Sequence, residues 1–113
     1  MAVTTVSSAH LNQRGQVQGG VYAVLADAVA GWATEAFLGG EHYVTTAISG
    51  QLFGAVSLGE VIRSEAEVSH GGRTTVVCTV RLWRERRPAT TPALVAMFTC
   101  QQLVMGNVSP PGG

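Results

Sequence analysis

The sequence predicts an α+β domain in which one long buried helix is wrapped by an antiparallel sheet. Three observations carry that expectation. Across residues 21–33 every side chain is apolar or absent except Asp27, and a helix that is apolar on all sides is a buried helix. Everything beyond Gly40 reads as strand and turn, in runs rich in Val, Thr and Ile. The links between those runs are short, which favours an antiparallel meander able to curl round the helix.

Taken in order, residues 2–10 mix Val, Thr, Ser and Ala and read as an edge strand. Residues 11–20 form a loop with three glycines, ending in Gly19-Gly20. The helix runs from about residue 21 to 38 and stops at Gly39-Gly40, a normal C-terminal signal. Residues 42–53 carry Tyr, Val, Thr and Ile and form the next strand, followed by a turn over 57–60. In 61–69, Ile62, Ala66 and Val68 alternate in part with Arg63, Glu65 and Glu67, and His70-Gly71-Gly72 is a hairpin turn. Residues 73–83 are the strongest strand; 84–92 is a charged, proline-bearing loop and 93–105 the last strand. Residues 106–113 read as a flexible tail, so 1–113 is a single domain with neither repeat nor linker.

Charged residues are 12% of the chain, against a usual quarter. So little charge on a small domain predicts that much of the surface is covered in an oligomer. The net charge of zero gives no bulk attraction to nucleic acid or to an anionic membrane. All seven basic residues are Arg, which excludes Schiff-base chemistry on a lysine. Cys78 and Cys100 are too few for a disulfide scaffold and match no metal spacing, and His10, His42 and His70 share no ligand spacing. The N-terminus has neither a basic region nor a long apolar run, and the apolar helix carries Asp27 and Glu35. The expectation is a cytoplasmic protein with a core helix, not a membrane span.

Asp27 is the residue that breaks the pattern. An aspartate is a poor helix former, and an unpaired carboxylate inside a core is costly. It is therefore either held by a partner or kept for chemistry. The glycine-rich entry leaves N–H groups at the helix start open to an anion. Asp27 lies about 10 Å along the axis from Gly20, too far for both to touch one carbonyl. Two copies with antiparallel helices would bring them together.

The pattern Asn12-x-x-Gly15-x-x-Gln18-Gly19-Gly20, six residues, then Asp27 resembles the hotdog-fold acyl-CoA thioesterases. It is most similar to the phenylacetate-pathway group, with kinship to the 4-hydroxybenzoyl-CoA thioesterases. Val44-Thr45-Thr46-Ala47-Ile48 falls where that family's post-helix strand begins, and Gly71-Gly72-Arg73 resembles its glycine-arginine hairpin. The likeness covers residues 4–105. One departure is Gln18, which stands where most members have His.

The resemblance implies a hotdog fold and hydrolysis of an acyl-CoA or acyl-carrier thioester. It implies that the Gly19 amide polarises the thioester carbonyl, with Gly20 close by and the Asn12 side chain in the site. Asp27 would act as nucleophile or general base, facing the glycine loop of a partner subunit. Thr45 would hold the attacking water with Thr46 as neighbour, Gln18 would line the substrate, and Arg73 would meet the CoA phosphates. The assembly would be a homodimer sharing its sites, or a tetramer. No metal and no resident cofactor are implied, coenzyme A being part of the substrate.

Plainer readings stand beside these. Asp27 could be a structural acid paired with Arg, Gly19-Gly20 a close-packing feature, Asn12 a loop cap and Thr45 an ordinary strand residue. Arg84, Arg86 and Arg87 read as a solvated loop, Cys78 and Cys100 as reduced core thiols. Trp32, Phe37, Tyr43 and Phe53 line an acyl pocket or are core. The alternative for the whole chain is a non-catalytic hotdog module that binds acyl or aryl ligands or serves a structural role. A hotdog hydratase is weaker, because no His lies a few residues ahead of an Asp.

Overall fold

The computed structural model describes residues 2–5, 15–85 and 91–106. They form β1 (Ala2–Thr5), α1 (Gly19–Leu38), β2 (His42–Leu52), β3 (Val61–Gly71), β4 (Thr75–Glu85) and β5 (Ala93–Gly106). The strands make one five-stranded sheet in the order β1-β3-β4-β5-β2, antiparallel throughout. The meander therefore holds only from β3 to β5. Strand β2 does not pair with β3; it crosses to the far edge and pairs with β5. The segment leaving β2 is held to the sheet where the amides of Phe53 and Gly54 both donate to Val95 O, at 2.7 and 3.2 Å.

The helix rests on the sheet by one face. Tyr22, Ala26, Val29, Ala30 and Thr34 are buried, and the small side chains at 26 and 30 let the backbone come close to β3 and β4. Thr34 keeps its hydroxyl satisfied by donating to Ala30 O at 2.8 Å. Beneath lie Val76, Cys78, Val80 and Leu82, alternate residues of β4, all fully buried, as the period of two in a strand requires. Burying one such side chain contributes about 1.5–3 kcal/mol. The opposite face of the helix is bare: Val24 is 69% and Trp32 59% exposed. The all-round apolar character read from the sequence is thus used on one side within the protomer and left open on the other. By length and composition alone the helix could cross a membrane; here its buried face packs on the sheet.

Both helix ends are tied down. The amide of Val17 donates to Val56 O at 2.9 Å, the Tyr22 hydroxyl to Gly54 O at 3.3 Å, and Val17 and Val56 are buried. At the other end Gly39 adopts φ 65° and its amide returns to Glu35 O at 3.0 Å, a left-handed cap that glycine takes without a Cβ clash.

Several boundaries differ from expectation. The helix begins at Gly19, two residues early. Strand β3 absorbs His70 and Gly71 through an irregularity between Val68 and His70, so the turn lies at 72–74, closed by the Gly72 amide on Thr75 O at 2.9 Å. Strand β4 continues to Glu85, where Arg63 and Glu85 pair at 2.6 Å and Arg84 donates to Ala55 O at 2.9 Å. The expected continuation of β1 to residue 10, the residues 86–90 and the tail beyond 106 lie outside the described residues.

Candidate functional site

The register of β2 on β5 shifts between Thr45 and Ala47. Beyond the shift, Ile48 and Gly50 lie opposite Cys100 and Phe98, which are buried on the helix side. Side chains alternate faces along a strand, so without an extra residue Thr45 would point away from the helix. The bulge at Thr46 restores the parity and turns Thr45 inward.

That inward turn brings Thr45 to Asp27. The Thr45 hydroxyl lies 3.4 Å from Asp27 Oδ1 and 2.7 Å from Oε1 of Gln102, its fully buried neighbour on β5. Asp27, the only aspartate in the chain, is on the bare face of the helix and exposed in the protomer. The expectation of a carboxylate sunk in the core is corrected accordingly: the apolar residues around it belong to an uncovered face. No arginine pairs with it among the described residues; the ion pairs there are Arg63–Glu85 and Arg81–Glu67. One and two turns further on, Gly31 and Glu35 continue the same face. The Tyr43 hydroxyl reaches both Gly31 O and Glu35 Oε1 at 3.2 Å. Burial, then the Glu35 charge, raises the Tyr43 phenol above its ordinary range. Beside Thr45 opens a cleft of about 540 Å³ lined by Glu35, Gly40, Glu41, His42, Tyr43 and Thr45. Cys100, on the other side of Thr45, is pushed up to about 11, first by burial and then by the Asp27 charge.

Gly19 and Gly20 occupy the first two helical positions and are exposed. Gln18 is the N-cap in extended conformation, and its side chain makes no cap hydrogen bond to the helix. The first amides of a helix have no intrahelical acceptor, so this end carries donors that the Gln18 side chain leaves uncapped. Leu52 of β2 lies against Gly19, its Cδ1 3.2 Å from where a Cβ would stand. Asp27 and Gly19 of one chain thus touch β2 at two different places, Thr45 and Leu52.

The remaining candidates disperse. Thr46 takes the bulge and accepts from the exposed Gln101 side chain at 3.3 Å, away from Asp27. Arg73 is exposed in the β3–β4 turn; that turn adjoins the C-terminal end of the helix, where a Cβ on Gly71 would strike the Phe37 ring. Asn12 lies outside the described residues, as do Arg86 and Arg87. Trp32, Phe37 and Phe53 are each at least half exposed in the protomer, and so are not its core. Gln102 went unnoticed in the sequence. Its signal is parity: it is in phase with Phe98 and Cys100 on the inner face of β5, a polar side chain in an apolar row.

Comparison with known proteins identifies the family and its fold. Residues 15–90 match the family model of the thioesterase superfamily. A hypothetical thioesterase from Streptococcus pneumoniae solved with coenzyme A is 28% identical over 95% of this chain and 78% of its own, with a TM-score of 0.80. A Streptococcus mutans protein bound to acetyl CoA is 26% identical over 92% of this chain and 78% of its own, TM-score 0.78. Zebra fish thioesterase superfamily member 2 is 25% identical over 90% and 71%, TM-score 0.80. Among curated proteins no sequence matches. With a helix laid on a curved antiparallel sheet and the family pattern running through glycine loop, helix and strands, the chain belongs to the hotdog-fold thioesterase superfamily.

Proposed function

We propose that the protein hydrolyses an acyl-CoA or acyl-carrier thioester in a site shared by two copies of the chain, with Asp27 as the catalytic carboxylate and the Gly19 amide as oxyanion donor. The observation that carries this is the isolation of Asp27: an unpaired carboxylate on a bare apolar helix face, with a hydroxyl beside it and no arginine neutralising it among the described residues. Relatives solved with coenzyme A and with acetyl CoA support the substrate class. In the Streptococcus pneumoniae relative an aspartate and a threonine were each chosen for replacement by alanine, the two residue types paired here. Asp27 takes a proton from water or attacks directly, and Gly19, with Gly20 next to it, stabilises the charge forming on the carbonyl oxygen. Such a donor is worth about 10²–10³ in rate. The reading assigns no metal and no resident cofactor, and a cytoplasmic location.

A second copy is needed because Asp27 and Gly19 of one chain are about 12 Å apart along the helix. Strand β2 favours self-pairing. It is an edge strand of eleven residues with no Asp, Glu, Lys, Arg or Pro to block a neighbour. Cross-strand partners must share a face, which restricts the register. With a two-fold axis at Ser49, Ile48 meets the partner subunit's Gly50 and Ala47 meets the partner subunit's Gln51. The bulge at Thr46 is then passed over, and Thr45 meets the partner subunit's Leu52. Since Leu52 packs on Gly19, this register sets Asp27 beside the other copy's helix start.

The test is a panel of acyl-CoAs with a thiol reagent, on the native chain and on Asp27→Asn. Turnover that drops by about 10² or more in the variant, with CoA-ester binding retained, supports the reading. Equal turnover in both refutes it. Saturable binding without any cleavage establishes the non-catalytic module instead.

A further inference from the structure

Gln102 is not accounted for by packing. It is fully buried in β5, between Thr45 on one side and Val76 on the other. Its Oε1 accepts from Thr45 at 2.7 Å, while its Nε2 is buried with no partner. An unpaired buried N–H costs stability, and an apolar side chain of the same shape would avoid that cost. The Thr45 hydroxyl has one proton and two acceptors in reach. The 2.7 Å approach to Gln102 is a normal O–H···O bond, whereas 3.4 Å to Asp27 lies beyond the usual range. With its proton on Gln102, Thr45 offers only lone pairs toward Asp27.

We propose that Gln102 is a positioning residue for the hydrolytic water: by drawing the Thr45 proton away from Asp27, it makes Asp27 and Thr45 two acceptors, one for each hydrogen of that water. This rests on the thioesterase reading and deepens it, making Asp27 a general base. A water that donates to both keeps a lone pair for the thioester carbon. Its oxygen bonds to that carbon and one proton passes to the Asp27 carboxylate. The C–S bond then breaks and the proton goes to the leaving sulfur, giving acid and thiol. A Thr45 hydroxyl donating to Asp27 instead would weaken the base and remove the second acceptor.

Among the described residues, the ionisable groups that feel the Asp27 charge are Tyr43 on β2 and Cys100 on β5, with Glu35 on the helix and Cys78 on β4 lying next to those two. Tyr43 and Cys100 stay neutral where carboxylates titrate, and Glu35 is bonded to Tyr43. The direction of the Thr45 proton is what distinguishes the variants below.

Gln102→Met keeps an unbranched shape and should melt at or above the native temperature. Its kcat should fall about tenfold with KM little changed, and the acid limb of the pH–kcat profile should move to lower pH as the Thr45 hydroxyl turns to Asp27. Adding Thr45→Val should return the limb toward its native position and lower kcat little further. A Gln102→Met enzyme with native kcat, or with its acid limb unmoved, overturns the proposal. Should the native chain cleave no acyl-CoA, the hydrolase reading fails by itself, and NMR exchange of the Thr45 hydroxyl proton still judges the assignment. A protected hydroxyl resonance in the native chain that shifts or is lost in Gln102→Met supports it; fast exchange in both, or a resonance that does not move, overturns it.

Discussion

Strands β2 and β4 are each eleven residues long and both flank β5, so the rung Ile48–Cys100–Cys78 runs through all three. On that rung Cys78 and Cys100 are fully buried while Ile48 is 42% exposed. Along β4 alternate residues are buried; along β2 all but Tyr43 are exposed. Composition does not explain the contrast, since both strands are rich in apolar and β-branched residues. Position does. The helix covers β3 and β4 and meets β2 through a few contacts at Tyr43, Thr45 and Leu52, leaving Ile48, Leu52 and Phe53 largely uncovered, as Val24 and Trp32 are. One half of the domain is finished by its own helix, and the other half is left open in the protomer. The candidate site lies on the boundary between them, where the bare helix face meets the bare strand.

Four sets of measurements probe this contrast. The largest effect is expected from Ser49→Cys. If β2 pairs with itself about Ser49, mild oxidation should convert most of the protein to a covalent dimer on a non-reducing gel, while Ile48→Cys should not cross-link. The reverse result moves the axis and dissolves the shared-site geometry. Next, Leu82→Ala, in the covered half, should cost the protomer about 2–5 kcal/mol and lower the melting temperature at every protein concentration. Leu52→Ala, in the bare half, should lower it in a concentration-dependent way, because it weakens association.

A smaller effect should appear with pH. The Cys100 thiol is raised from an ordinary value of 9.0 to about 11, first by burial and then by the Asp27 charge. The unfolded chain therefore releases that proton at a lower pH than the folded one, and this contribution to stability is present below pH 9 and lost as pH rises toward 11. Chemical denaturation across that window should show a declining stability, with a shallower decline in Cys100→Ala. The smallest effect is expected for Glu67→Gln, which removes the exposed pair of Arg81 and Glu67 at 2.8 Å. It should change stability by less than about 1 kcal/mol, measured by thermal melting, with no change in turnover.

Much of this was legible beforehand. The uninterrupted apolar stretch with a single Asp, bordered by glycines, announced the helix. Runs of β-branched residues announced the strands, and the spaced glycines with Asp27 announced the family. What local pattern could not reveal was the destination of β2, because pairing with β5 instead of β3 depends on contacts far apart in sequence. Nor could it separate Thr45 from Thr46. Both are threonines in one strand, and only the bulge, set by the register against β5, turns the first to Asp27 and the second away.

The element types, the helix stop at Gly39 and the presence of one acid in an apolar helix follow from propensity, periodicity and backbone freedom within a few residues, and so are readable along the chain. Which face of the helix is covered, that Asp27 stands on the open one, and that Gln102 and Thr45 meet beside it emerge from packing. Those outcomes depend on strand order and on the parity of a single extra residue, quantities that exist only once distant segments have paired.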